Sequence, residues 1–231
     1  MEIVIDEAEI LAATFVARVE ERARRSEHFS LALPGGSAVA VCCPPLKRAV
    51  VEWRRVHLFW VDERAVPPNH SESNYALSHE LFLDGLPINP THIHRMRAEK
   101  ADLEDAAHEY ETDLRHTLGE PPCLDMTLLG VGPDGHVCSL FPGHPALDET
   151  TRLVMAVDDS PKPPSRRLTL TLPALKHTFA VVAAFGESKA AAIHEAINDP
   201  ASRLPVALAI RQAREVLFLL DEAAARGLRQ S

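Results

Sequence analysis

Cysteine is scarce in this chain and falls into no useful pattern. The four cysteines, Cys42, Cys43, Cys123 and Cys138, include an adjacent pair and no C-x-x-C spacing. Neither a zinc site nor a disulfide framework is expected, and they read as reduced, partly buried thiols. Cations are outnumbered, with 24 Lys and Arg against 33 Asp and Glu, a net charge of −9. That balance argues against a nucleic-acid or anionic-membrane partner, and any anionic ligand must be met by a local cluster of positive groups. Long apolar runs are missing too. The longest clean one, Phe179 to Phe185, is far too short to span a bilayer. The first residues, Met-Glu-Ile-Val-Ile-Asp-Glu, are acidic where an export signal is basic, so a cytoplasmic location is expected. There is no internal repeat, low-complexity tract or long linker. What remains is 231 residues, 46% hydrophobic and 25% charged, an ordinary globular composition with ample core, read as one domain over residues 1–231.

Strand-like and helix-like stretches alternate along it. Asp6 is placed to cap a helix to about Arg25, with Ile10, Leu11, Thr14, Phe15 and Val16 on its apolar stripe. Phe29 to Leu33 reads as a strand. Pro34-Gly35-Gly36-Ser37 then opens a helix to about Val50, which Pro44-Pro45 must bend or interrupt. Val56 to Val61 is an apolar strand ending in Asp62-Glu63-Arg64, and Ser73-Asn74 begins a helix with Tyr75, Leu77, Leu81 and Phe82 on its apolar side. Ala101 to Leu118 has the pattern of an amphipathic helix with a solvated face. Met126 to Leu129, Leu153 to Val157, Thr178 to Phe185 and Glu215 to Leu220 read as strands, and Arg166 to Leu172 alternates as a half-buried one. Lys189 to Ile197 and Glu222 to Leu228 complete the pattern as helices. Such alternation predicts an α/β fold built on a parallel sheet.

Three strand ends carry chemistry. After Met126 to Leu129, the glycines of Gly130-Val-Gly-Pro-Asp-Gly-His force a sharp turn that holds Asp134 and His136, one residue apart. In open α/β sheets, ligands bind at the C-terminal ends of strands. Gly35-Gly36-Ser37 joins a strand to a helix and leaves backbone N–H groups free for a phosphate, although it is neither a P-loop nor a dinucleotide fingerprint. Asp62-Glu63-Arg64 reads either as a surface ion pair or, at the same sheet edge, as the source of an oxyanion partner in Arg64. Lys189 lies in the first turn of its helix, where the dipole disfavours a cation unless it meets an anion. His92-Ile93-His94 spaces two imidazoles for one strand face, but no third ligand stands nearby, so no metal is expected there.

Gly130 to Pro142, read as Gly-x-Gly-x-Asp-Gly-His-x-x-Ser-Leu-Phe-Pro, resembles the 6-phosphogluconolactonases, as do Leu33-Pro-Gly-Gly-Ser37 and Trp60-Val-Asp-Glu-Arg64 in the same order. The similarity covers nearly the whole chain. It implies an open, mostly parallel sheet flanked by helices with a smaller accessory sheet, like that of glucosamine-6-phosphate deaminases. It also implies hydrolysis of 6-phospho-D-glucono-1,5-lactone to 6-phospho-D-gluconate, with no metal or organic cofactor and a sugar phosphate as the partner. On that resemblance His136 is the general base, and Asp134 positions the loop or the imidazole. The phosphate falls to Gly35, Gly36, Ser37, Arg167 and Lys189; Arg64 lies near the lactone, Asp62 shares its block, and Asn74 orients the sugar or Arg64. Arg167 rather than Arg166 is favoured because it matches the family's Arg-x-Thr block. Ala38-Val39, where the family often has Thr-Pro, and Glu72 depart from the pattern. A monomer or small homo-oligomer is expected.

Two other readings compete. The deaminase-isomerases of the same fold place a Glu seven residues after the Asp of Asp-Gly-His, and that position here is Phe141. A non-catalytic sugar-phosphate-binding regulator would need a DNA-binding or partner segment, for which the sequence leaves no room.

Overall fold

The computed structural model describes residues 1–228. Its strands are β1 (Glu2–Ile5), β2 (Phe29–Leu33), β3 (Val56–Trp60), β4 (Asp62–Arg64), β5 (Ile93–His94), β6 (Met126–Gly130), β7 (Val154–Val157), β8 (Arg167–Leu170), β9 (Phe179–Ala184) and β10 (Glu215–Leu220); its α-helices are α1 (Ala8–Arg25), α2 (Gly36–Cys42), α3 (Asn74–Ser78), α4 (Leu103–Leu118), α5 (Ala190–Asn198) and α6 (Pro205–Gln212). Seven strands form a parallel sheet in the order β1-β10-β9-β6-β2-β3-β5, and β4-β8-β7 form a small antiparallel sheet. From β2 the chain proceeds one way through β3 to β5, and from β6 it proceeds the other way through β9 to β10. The order therefore reverses between β2 and β6, the point at which open α/β sheets leave a crevice.

Burial on both faces explains the near-continuous apolar strands, since helices cover each side of a parallel sheet. Every residue of β2 and of β9 is buried. One face packs Leu11, Phe15 and Val19 of α1 and Val39 of α2 against Leu31, Leu58 and Leu128. The other face packs Tyr110 and Leu114 of α4, Ile193 of α5 and Val206 of α6 against Phe59, Leu129 and Val182. Each large side chain so buried contributes roughly 1.5–3 kcal/mol. Val61, Leu168 and Leu170 join the second cluster, so the small sheet shares the core of the large one.

Several sequence expectations shift. Asp6 does not cap α1: its carboxylate accepts from the adjacent Glu7 N at 2.8 Å, and the N-cap is Glu7, with no side-chain cap bond. The buried stripe of α1 is Leu11, Ala12, Phe15 and Val19, while Ile10 is 50% exposed, because the helix presents its Leu11 side to the sheet. The helix after Gly35 ends at Cys42, and Pro44–Arg48 forms a separate 3-10 turn, as two prolines without N–H donors require. Asp62–Arg64 is a strand of the small sheet. Strand β8 is buried throughout rather than on alternate faces, since Leu168 and Leu170 join the core while Thr169 and Arg167 both hydrogen-bond to Ser139. Residues 222–227 form turns and not a helix. β1 and α6 had no counterpart among the expected elements, although Pro205 at the first helical position of α6 is a start signal.

At the β3–β5 edge, histidines form a chain. His94 Nδ1 lies 2.7 Å from Asp113 Oδ2, and His57 Nδ1 lies 2.9 Å from His94 Nε2. The pattern is satisfied when each Nδ1–H donates along the chain to the carboxylate. His92 stacks on His57 with ring centroids 3.9 Å apart. Burial first, then His92, His94 and His28, lower the His57 pKa to about 4, with Asp113 opposing. Among the described residues no three His, Cys, Asp or Glu side chains are grouped to hold a metal ion, and no helix is long and apolar enough to cross a membrane.

Candidate active site

The turns after β2 and β6 face each other across the reversal point. Between them opens a cleft of about 340 Å³, lined by Gly35, Gly36 and Ser37 on one side and Gly132, Pro133 and His136 on the other. Asp62, Arg64 and Arg167 from the small sheet, Lys162 from the loop before β8 and Lys189 at the start of α5 complete its lining. A larger cavity of about 550 Å³ lies along β5 and α4, among His94, Arg95, Tyr110 and Asp113. It has none of the strand-end glycine turns, which line the smaller cleft instead.

The turn after β6 is closed by Gly132 N donating to His136 O at 2.9 Å and Gly135 N donating to Gly132 O at 2.9 Å. It folds the two titratable side chains together, with His136 Nδ1 2.6 Å from Asp134 Oδ1. A Cβ on Gly132 would lie 1.9 Å from His136 Nδ1 and 2.4 Å from Asp134 Oδ1, so only glycine lets the pair lie against the backbone. Burial would raise the Asp134 pKa, but the His136 hydrogen bond and charge, then Lys162, bring it down to about 2. An ionised Asp134 accepts the Nδ1–H, which leaves Nε2 as the basic nitrogen. The imidazole is 18% exposed. Burial lowers its pKa, Lys162 adds to the effect, and Asp134 and Asp62 oppose it. The ring leans on Phe141, with centroids 4.8 Å apart.

The residues from the small sheet are held by a buried polar network. Glu63 accepts from Arg64 N, Ser73 Oγ, Asn74 N and Tyr75 N at 2.7–2.9 Å, and so fixes the start of α3. Burial pushes its pKa up, against those four donors. It is a structural anchor, not half of a surface ion pair. Asn74 Nδ2 donates to Asp62 O and Oδ1, both at 2.9 Å, while its Oδ1 is buried without a partner beside Gly35. Asp62 Oδ2 accepts from Ser139 Oγ at 2.8 Å. Arg64 donates through Nη1 to Glu72 O at 2.7 Å, and its Nε is buried without a partner.

Arg167, opposite Arg64 in the β4–β8 register, is only 4% exposed. Its Nε donates to Pro164 O, its Nη2 to Lys162 O and Pro163 O, and its Nη1 to Ser139 Oγ at 3.4 Å. Four of the five N–H groups of a guanidinium are thus engaged. Arg166 instead turns outward to Asp158 at 2.9 Å, so of the two arginines it is Arg167 that lines the cleft.

All ten residues expected from the sequence lie at this cleft or, as Asp134 and Asn74 do, hydrogen-bond to a residue lining it. Four cations line it against the single lining carboxylate of Asp62, a local reversal of the chain's net charge. Lys162 was not among those expected. Its Nζ is 3.2 Å from Asp134 Oδ1 and 3.1 Å from His136 Nδ1. The run Pro161-Lys162-Pro163-Pro164 signals only a loop, and nothing in it says that the loop folds back on His136.

Comparison with known proteins places these observations. The family described as glucosamine-6-phosphate isomerases/6-phosphogluconolactonase matches residues 6–219. A 6-phosphogluconolactonase of Rattus norvegicus is 42% identical over 207 residues, covering 86% of this chain and 80% of its own. A probable chloroplastic 6-phosphogluconolactonase of Oryza sativa subsp. indica is 38% identical over 247 residues, covering 96% and 74%. The solved 6-phosphogluconolactonase of Trypanosoma cruzi superposes with a TM-score of 0.86 at 27% identity, covering 98% of this chain and 96% of that one.

Proposed function

The chain belongs to the glucosamine-6-phosphate isomerase/6-phosphogluconolactonase family, and on that premise we propose how its cleft works. The reaction is hydrolysis of 6-phospho-D-glucono-1,5-lactone to 6-phospho-D-gluconate in the oxidative pentose phosphate pathway. His136 Nε2 takes a proton from a water molecule as that water attacks the lactone carbonyl. Asp134 orients the ring and stabilises the imidazolium that forms. Arg64, which lines the cleft, meets the oxyanion of the tetrahedral intermediate. Collapse of the intermediate expels the ring oxygen, which recovers the proton from His136. The remote phosphate rests on the backbone of Gly35, Gly36 and Ser37, with Lys189 and the remaining N–H of Arg167. Asn74 and Asp62 hold each other and the sugar side of the cleft. No metal or organic cofactor takes part.

The observation that carries this reading is the 2.6 Å Asp134–His136 pair at the reversal point, facing a cation-lined cleft. The deaminase-isomerase alternative needs a carboxylate where this chain has Phe141, a buried ring packed on His136. We also read the chain as one domain acting in the cytoplasm as a monomer or small homo-oligomer, without a nucleic-acid partner, in keeping with its shared core and net charge of −9.

His136→Ala should lower kcat by roughly 10²–10⁴-fold, the usual loss for a general base, and leave 6-phosphogluconate binding largely intact. The assay must subtract spontaneous lactone hydrolysis. Near-parental turnover in the purified variant would remove His136 from the mechanism.

A further inference from the structure

Resting on that reading of His136, we propose that Lys162 is a positioning residue for the Asp134–His136 pair: its ammonium shares Asp134 Oδ1 with the imidazole and presents a fixed positive charge to the ring, which keeps Nε2 free of a proton and ready to act as base.

The contact distances require a particular arrangement of protons. Nζ lies 3.2 Å from Asp134 Oδ1 and 3.1 Å from His136 Nδ1. Both nitrogens are donors when Nδ1 carries its proton, so they cannot bond to one another. The acceptor is the carboxylate oxygen between them, 2.6 Å from Nδ1. A second proton on the ring would set an imidazolium against an ammonium, a like-charge contact that disfavours the protonated form.

Lys162 is not a loosely held surface lysine. Its carbonyl accepts from Arg167 Nη2 at 3.1 Å and from Ser160 Oγ at 2.9 Å, and its N–H donates to Ser160 Oγ at 3.3 Å. Ser160 N closes the loop by donating to Ser165 O at 3.0 Å. The buried guanidinium thus spends most of its donors holding the segment that carries Lys162, and Arg167 reaches His136 through it. The other charges around the ring come from Asp134 in its own turn and from Asp62 on β4, while Lys189 at the start of α5 acts on both Lys162 and Asp134. Of the cations that line the cleft, Lys162 is the one within hydrogen-bond distance of the pair.

The test follows the His136 imidazole by NMR across pH in the full chain, with His136→Asn to assign the signal, and measures kcat/KM over the same range. Lys162→Met and Lys162→Gln should move the His136 titration to higher pH, and Lys162→Arg should return it towards the parent. The acid limb of kcat/KM should follow, costing about three- to tenfold more activity on the acid side than on the alkaline side. The Arg variant keeps the question answerable if a neutral variant does not fold. A titration unchanged in the folded neutral variants, with the loss confined to KM for the phosphorylated substrate, would overturn the proposal and make Lys162 a phosphate ligand. A titration that moves while the acid limb stays put would support the role of Lys162 and sink His136 as the base.

Discussion

At the scale of single residues, the site depends as much on what is missing as on what is charged. Gly132→Ala would drive a methyl group into both members of the Asp134–His136 pair. It should cost about 10–10³-fold in kcat by tilting the imidazole proposed as base, while circular dichroism stays native; an unchanged kcat would mean that the pair tolerates being pried apart. Lys189→Met probes the other end of the substrate. It should weaken 6-phosphogluconate binding by about 1.5–3 kcal/mol, the range for a charge-assisted hydrogen bond, and scarcely alter the slow hydrolysis of unphosphorylated gluconolactone. Calorimetry showing parental affinity would return Lys189 to the solvent. His136 and Asp134 were legible in the sequence because Gly130 and Gly132 before them and Gly135 between them announce a turn at a strand end. Lys162 was not, because its position depends on hydrogen bonds from Arg167, which no local pattern encodes.

At the scale of elements, strands read from apolar runs agree with the structure to within a residue or two: β2 coincides with the expected Phe29 to Leu33, and β10 with Glu215 to Leu220. Helix ends were less legible, since α2 stops where prolines and packing dictate and α1 rotates to suit the sheet. The three residues of β4 are strand only because β8 lies beside them, a long-range pairing invisible to periodicity. Glu63 then converts that short strand into the anchor of α3. Glu63→Gln would place an NH₂ among four donors that need acceptors. It should destabilise the fold by about 2–3 kcal/mol in urea titration, and a change below ~0.5 kcal/mol would show that the network relaxes freely.

At the scale of the whole molecule, the β3–β5 edge should make stability depend on pH independently of catalysis. The His57 pKa is held at about 4 in the fold, below the ~6.5 of an exposed histidine. The unfolded chain therefore takes up the proton first, so the His57 contribution is intact above pH ~6.5 and fades as pH falls towards about 4. His57→Gln should lose less stability than the parent between pH 7 and pH 5, as read by urea unfolding at both values. An equal loss in the two proteins would mean that His57 titrates no differently when folded.

The pairing of β4 with β8 also has a consequence in time. Arg64 is made early in synthesis and Arg167 late, yet they are register partners in one small sheet, and β9, beside β6, is made later still. A growing chain can finish the strands on the β2 side of the crevice while the opposite wall does not yet exist. A chain cut before Arg167 lacks one wall of the cleft, so lactonase activity should be absent from it and appear only once β8 and β9 are present.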